Sequence, residues 1–183
     1  MIISIIGYAK SGKTSFAECV VHEAASRAIR VAAIKTGRSS HDGADHPPPG
    51  NLAERDSERL RSAGAELSIF WSERGCEVTG DPDTAYSTPL PDRGTFYRSW
   101  RSFLPGEVRR ALEETSLLII EGRPVAGAAV VQMRKRSVPK AEALKYAIET
   151  GHTIIVDPRD FSRHIAALFS SLVHTERLNA GTT

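Results

Sequence analysis

Apolar residues recur along this chain in short bursts that alternate between two periods. The runs Ile2-Ile3-Ser4-Ile5-Ile6, Arg30-Val31-Ala32-Ala33-Ile34-Lys35, Glu66-Leu67-Ser68-Ile69-Phe70-Trp71 and Leu117-Leu118-Ile119-Ile120 are brief and almost unbroken. That pattern predicts strands buried on both faces. Between them the apolar positions are spaced for helices. One continues through Ser15 to Val21 and ends near Arg27-Ala28, one is capped by Asn51 and stops at Gly64, and a short one follows Pro105-Gly106 from Glu107 to Glu114. The last third predicts a strand at Ala128 to Met133, a helix at Lys140 to Glu149, a strand at Thr153 to Val156, a closing helix from Phe161 to Val173, and a frayed tail from Asn179 to Thr183. Strands alternating with helices predict the α/β class: a mostly parallel sheet with helices on both faces, in three layers. At 183 residues a single domain over 1–183 is expected.

Two stretches carry neither period. Residues 36–50 contain Pro47-Pro48-Pro49, which forbid helix, and residues 72–93 are rich in Gly, Pro, Asp and Ser, with a short strand read at Cys76 to Thr79. Both are expected to be irregular loops.

The first strand runs directly into GYAKSGKT, Gly7 to Thr14, which satisfies the phosphate-loop pattern G-x-x-x-x-G-K-[ST]. Position makes the match specific, because a strand precedes it and a helix follows. Gly7 and Gly12 allow the backbone of Tyr8, Ala9, Lys10 and Ser11 to wrap close to phosphate oxygens, with N–H groups and the helix start aimed at the anion. Lys13 is then expected on the β- and γ-phosphates, Thr14 on Mg²⁺, and Ser15 beside them. The expected ligand is GTP or ATP with Mg²⁺. Tyr8 stands where a subclass of these ATPases carries a further lysine, which argues against that subclass.

Composition narrows the partners. Lys+Arg 24 against Asp+Glu 22 gives a net charge of only +2, too weak a field to indicate nucleic acid, although six arginines fall between Arg93 and Arg123. A phosphorylated small molecule fits better. Cys19 and Cys76 make neither a disulfide framework nor a metal-ligand spacing. No apolar run is long enough to span a membrane, and a strand from Ile2 leaves no room for a leader, so a soluble cytoplasmic protein is expected.

Ligands of parallel sheets bind outside the strand carboxyl ends. Glu121, after the fourth run, stands where such a protein needs an acid to hold magnesium or orient water, and Lys35 ends the second strand where it can neutralise phosphate. Asp56 and Ser57 begin the helix after the proline-rich loop and face either a ligand or solvent. His41, Asp42, Asp45 and His46 read as turn residues of that loop rather than a metal site, and Arg134-Lys135-Arg136 as a solvated charge run or a phosphate clamp.

These strings, with Asp56-Ser57-Glu58-Arg59-Leu60-Arg61-Ser62-Ala63-Gly64-Ala65 and Leu118-Ile119-Ile120-Glu121-Gly122-Arg123, resemble the molybdopterin-guanine dinucleotide biosynthesis protein B family, MobB. The resemblance implies a weakly hydrolysing GTP- and Mg²⁺-binding protein, usually a homodimer, that partners a molybdopterin nucleotidyltransferase. It assigns phosphate and metal to Gly12, Lys13 and Thr14, closure of the site to Glu121, and the open side to Lys35, Asp56 and Ser57. The chain departs from the family in having Thr36-Gly37-Arg38-Ser39-Ser40 where a histidine-rich run is usual, and in a predicted helix over Pro139 to Thr150 in place of a strand. It also lacks N-K-x-D. Two other readings remain open at this level. One is a small-molecule kinase whose arginines close over a phosphoryl group while Asp42 or Asp56 accepts a proton; the other is a nucleotide-dependent switch acting through its two loops.

Overall fold

The sheet has eight strands in the order β5-β4-β3-β2-β6-β1-β7-β8. They are β1 Ile2–Gly7, β2 Val31–Thr36, β3 Leu67–Ser72, β4 Gly75–Gly80, β5 Thr84–Tyr86, β6 Leu117–Glu121, β7 Ala129–Met133 and β8 Thr153–Val156. The computed structural model describes residues 1–37, 53–80, 84–134, 153–157 and 159–180, with the backbone alone at 53–56, 153 and 171–180. Five pairings are parallel, and two, β3 with β4 and β4 with β5, are antiparallel. Helices cover both faces, as the alternating sequence predicts.

Strand periodicity sorts the core into two halves. Ile3, Ile5, Ala33, Ile119, Val131 and Met133 point to one face, where Phe16, Ala17, Val20, Val21 and Ala24 of α1 (Lys13–Ser26) pack with Ile165, Leu168 and Phe169 of α5 (Phe161–Ala180). Each such large apolar side chain contributes about 1.5–3 kcal/mol by leaving water. The alternate residues Ala32, Ile34, Leu118 and Ile120 pack on the other face against Phe96 of α3 (Arg93–Ser99), Trp100 of a 3₁₀ turn (Trp100–Phe103), and Val108 and Leu112 of α4 (Gly106–Glu113). Trp71 meets Phe96 edge-on at 5.7 Å and donates its indole N–H to Thr88 O at 2.9 Å. Helix α2 (Ala53–Ser62) is tied to α1 by Arg59, which grips Glu18 through two bonds of 2.6 and 2.7 Å.

The stretch 72–93 departs from expectation: it holds all of β4 and β5, which extend the sheet as an antiparallel ribbon. Its glycines are close-approach positions within the ribbon rather than loop breakers. A Cβ on Gly75 would lie 2.5 Å from Tyr86 O, and one on Gly80 2.8 Å from Glu66 O. Helix α3 was hidden by weak propensity in Arg93-Gly94-Thr95; Asp92 caps it by accepting from Gly94 and Thr95 N–H at 2.9 and 3.0 Å. The closing helix also runs past Val173 to Ala180. The triple proline, the Asn51 cap and the helix expected at 140–149 lie outside the described residues.

Candidate functional site

At the carboxyl ends of the central strands, one cross-strand row carries charge. Glu121 is in register with Ile5 of β1 and with Lys35 of β2. Because Ile5, Ala33 and Ile119 face α1, so do Lys35 and Glu121. The chain turns sharply just beyond. Gly122 adopts φ 107, and a Cβ there would come within 2.5 Å of Thr36 Oγ1 and 2.7 Å of Thr36 O. Thr36 Oγ1 donates to Glu121 O at 3.0 Å and Gly122 N–H donates to Ile5 O at 2.9 Å, so three strand ends lock the Glu121 backbone.

The Gly7–Thr14 loop lies over this row. A Cβ on Gly7 would sit 2.8 Å from Met133 O and 2.9 Å from Ser11 Oγ, which is why the loop can settle so closely on β7. Gly12 caps α1 in the left-handed region, φ 85, with no side-chain cap and no acidic residue in the first turn. The positive end of a 14-residue helix is therefore left to other partners. Lys13 arches back across the loop, donating to Gly7 O at 3.0 Å and Tyr8 O at 2.7 Å. Thr14 Oγ1 donates to Glu121 Oε1 at 3.0 Å, Lys35 Nζ donates to Thr14 Oγ1 at 3.2 Å, and Lys35 Nζ stands 3.6 Å from Glu121 Oε1. Glu121 is only 4% exposed, so these contacts act where water screens them weakly. Burial pushes the Lys13 ammonium below its ordinary pKa; the Glu121 carboxylate opposes that shift and the Lys35 charge adds to it.

The predicted residues thus divide. Lys13, Thr14, Lys35 and Glu121, distant in sequence, form one cluster, with Gly7, Tyr8, Ala9, Lys10, Ser11 and Gly12 as its loop and exposed Ser15 on the helix behind. Ser57 is buried on α2, which packs on α1, β3 and β4. The Asp56 side chain, the His41-Asp42-Asp45-His46 stretch, Lys135 and Arg136 lie outside the described residues. Arg134 stands 3.8 Å from Asp157 across the ends of β7 and β8. No group of three or more metal-ligating side chains occurs among the described residues.

The opposite face of the same strand ends holds a cavity of about 380 Å³ lined by Ile6, Tyr8, Arg93, Arg123, Pro124 and Gln132 among others. Gln132 belongs to no motif, although it is the one polar residue in the strand Ala129-Val130-Val131-Gln132-Met133. That interruption was the available signal.

A strand, a glycine-cornered loop, a helix opening on Lys13-Thr14 and a neighbouring strand ending in an acid define an α/β protein of the phosphate-loop class. The chain belongs to the MobB family: the family model described as molybdopterin guanine dinucleotide synthesis protein B matches residues 2–93. Among solved structures, Bacillus subtilis MobB is 22% identical with a TM-score of 0.39, covering 85% of this chain and 77% of its own. A MobB protein homolog from Bacillus stearothermophilus is 15% identical with a TM-score of 0.48, covering 94% and 98%. A molybdopterin-guanine biosynthesis protein B is 19% identical with a TM-score of 0.46, covering 93% and 99%. No curated protein matches significantly. No helix among the described residues is long and apolar enough to cross a membrane.

Proposed function

We propose that this protein binds a nucleoside triphosphate with Mg²⁺ on the Gly7–Thr14 loop and, as a MobB-family member, assists the guanylylation of the molybdenum cofactor. The observation that carries the reading is the Lys13, Thr14, Lys35 and Glu121 cluster at the uncapped start of α1. Its donor set fits the ligand. The Thr14 hydroxyl and Glu121 carboxylate, 3.0 Å apart, are hard oxygen ligands suited to Mg²⁺, while the two ammonium groups and the helix start suit a polyanion. Ser11 Oγ, 4% exposed and without a hydrogen-bond partner, supplies a further donor inside the loop.

In this reading Lys13 swings from the loop carbonyls onto the terminal phosphates, exchanging neutral acceptors for charged ones. Lys35 keeps the Thr14 hydroxyl and Glu121 oriented. Bound Mg²⁺ would neutralise phosphate charge, and Glu121 would hold an attacking water in a slow hydrolysis. GTP is the expected nucleotide, a molybdopterin nucleotidyltransferase the expected protein partner, a homodimer the expected assembly, and the cytoplasm the expected compartment. A phosphotransferase would need an acid beside the transferred group; phosphate released only as inorganic phosphate, with a panel of metabolites present, counts against it.

Calorimetric titration with GTP and ATP, each with and without Mg²⁺, tests the site, with tighter, Mg²⁺-dependent GTP binding expected. Binding of neither nucleotide would overturn it. For the pathway, deleting the gene from a host that uses the guanylylated cofactor should lower its molybdenum-enzyme activity, and intact activity refutes that assignment.

A further inference from the structure

The cavity beside the phosphate loop is absorbed by none of these roles. Its polar floor is Gln132, in register with Ile6 of β1. Ile6 and Gln132 alternate with Ile5 and Val131, whose side chains face α1, so the cavity opens on the α3 face, across the sheet from Lys35 and Glu121. Gln132 is 2% exposed and its Oε1 has no hydrogen-bond partner. A buried, unpaired carbonyl persists at a cost unless something donates to it. Exposed Arg93, the first residue of α3, also lines the cavity. Arg123 stiffens that wall: it donates to Pro91 O at 2.5 Å and lies over the Phe96 ring at 5.5 Å, fixing the segment that leads into Arg93. Ile6 and Pro124 supply apolar surface.

We propose that this cavity is a second small-molecule site, separate from the triphosphate, taking a planar ligand that offers an N–H donor to Gln132 and an acidic group to Arg93. Its volume, about 380 Å³, lies within the range of small-ligand sites. Gly7 and Tyr8 belong both to the cavity wall and to the loop, so the ligand sits against the phosphate loop without displacing Lys13 from its own face.

Amide chemical-shift titration with three probes tests this. Orotate carries a ring N–H edge and a carboxylate, uracil the same edge without the acid, and benzoate an acid without the donor. Orotate at roughly 10 mM should shift the amides of Ile6, Arg123 and Gln132 while leaving Lys35 unmoved, with uracil weaker and benzoate silent. Gln132→Leu should weaken orotate and uracil about five- to tenfold, and Arg93→Ala, a surface change that spares the fold, should weaken orotate alone. The proposal fails if no probe shifts these amides, if benzoate matches orotate, or if Gln132→Leu leaves orotate affinity unchanged. Displacement of orotate by GTP with Mg²⁺ would also overturn it, assigning the cavity to the nucleotide's own base. Loss of GTP binding alone, with orotate retained, would count only against the phosphate-loop reading.

Discussion

The two faces of the sheet carry opposite kinds of polar chemistry at the same strand ends. On the α1 face, Lys13, Thr14, Lys35 and Glu121 engage one another or the loop carbonyls at 2.7–3.6 Å, a network of charges held in place by its own members. On the α3 face, a neutral amide oxygen is buried with no partner at all. Strand parity alone separates them, since Ile5 and Ile6 are neighbours in sequence and point to different faces. A self-supporting charge cluster is organised for a highly charged ligand that exchanges one set of ionic contacts for another. On the proposed reading, a lone carbonyl in a cavity that also holds two arginines suits a ligand that brings both a donor and an acid.

The largest expected effect falls on the α1 face. Lys13→Ala should weaken triphosphate binding on the order of 100-fold, because two or more charge-assisted bonds are lost together. The fold should survive, since Lys13 is only partly buried. Unchanged affinity, by calorimetry with Mg²⁺, would remove the distinction between the faces. The same residue gives a pH signature. Its folded pKa is lowered below 10.5, so the folded state releases this proton before the unfolded state does. Between the folded pKa and 10.5, the destabilisation caused by burying the ammonium is progressively relieved as pH rises, while affinity for a polyanion falls. Nitrogen or side-chain carbon NMR of Lys13 checks the direction; a midpoint above 10.5 contradicts it.

Gly122→Ala should come next, at about 2 kcal/mol of stability, because alanine is strained at φ 107 and its Cβ would meet Thr36 at 2.5 Å. Denaturant unfolding measures this, and a neutral result would mean that the strand ends are not locked as described. Glu121→Gln keeps the shape and removes the charge. It should abolish most of the Mg²⁺ enhancement of nucleotide binding, about tenfold, while binding without Mg²⁺ changes less. Equal losses with and without the metal would move Glu121 out of the metal role.

The charged face was legible because its signals are local. A strand, a spaced glycine pair and a Lys-Thr pair are contiguous from Ile2 to Thr14, and Glu121 was found by following an apolar run to its end. Ser57 shows the limit of that logic: position near a helix start suggests an exposed residue facing ligand or solvent, and only the packing of α2 on α1, β3 and β4 shows that it is buried. The α3 face was less legible for a physical reason. Its wall depends on a helix nucleated by Asp92 and held by Phe96 burial, and on an antiparallel ribbon whose glycines look like loop residues until their partner strand is known. Those are long-range contacts, and composition in 72–93 points the other way.

The smallest effect is also the one that most sharpens the contrast between faces. Gln132→Leu replaces a buried, unpaired carbonyl with apolar surface of similar size inside a strand that is otherwise apolar. If the amide is there for packing, its loss opens a gap and lowers stability. If it is kept for a ligand, the apolar residue relieves an unmet hydrogen bond and should raise stability by about 1 kcal/mol, read as an increased denaturant midpoint at constant slope. The corresponding change on the α1 face has the opposite sign: Glu121→Leu removes the carboxylate that Thr14 and Lys35 already contact, so it should destabilise. Measured side by side, a gain at Gln132 and a loss at Glu121 mean that the fold uses the Glu121 carboxylate and does not use the Gln132 amide. Losses at both positions would mean that Gln132 is structural, and the two faces would then differ in charge alone.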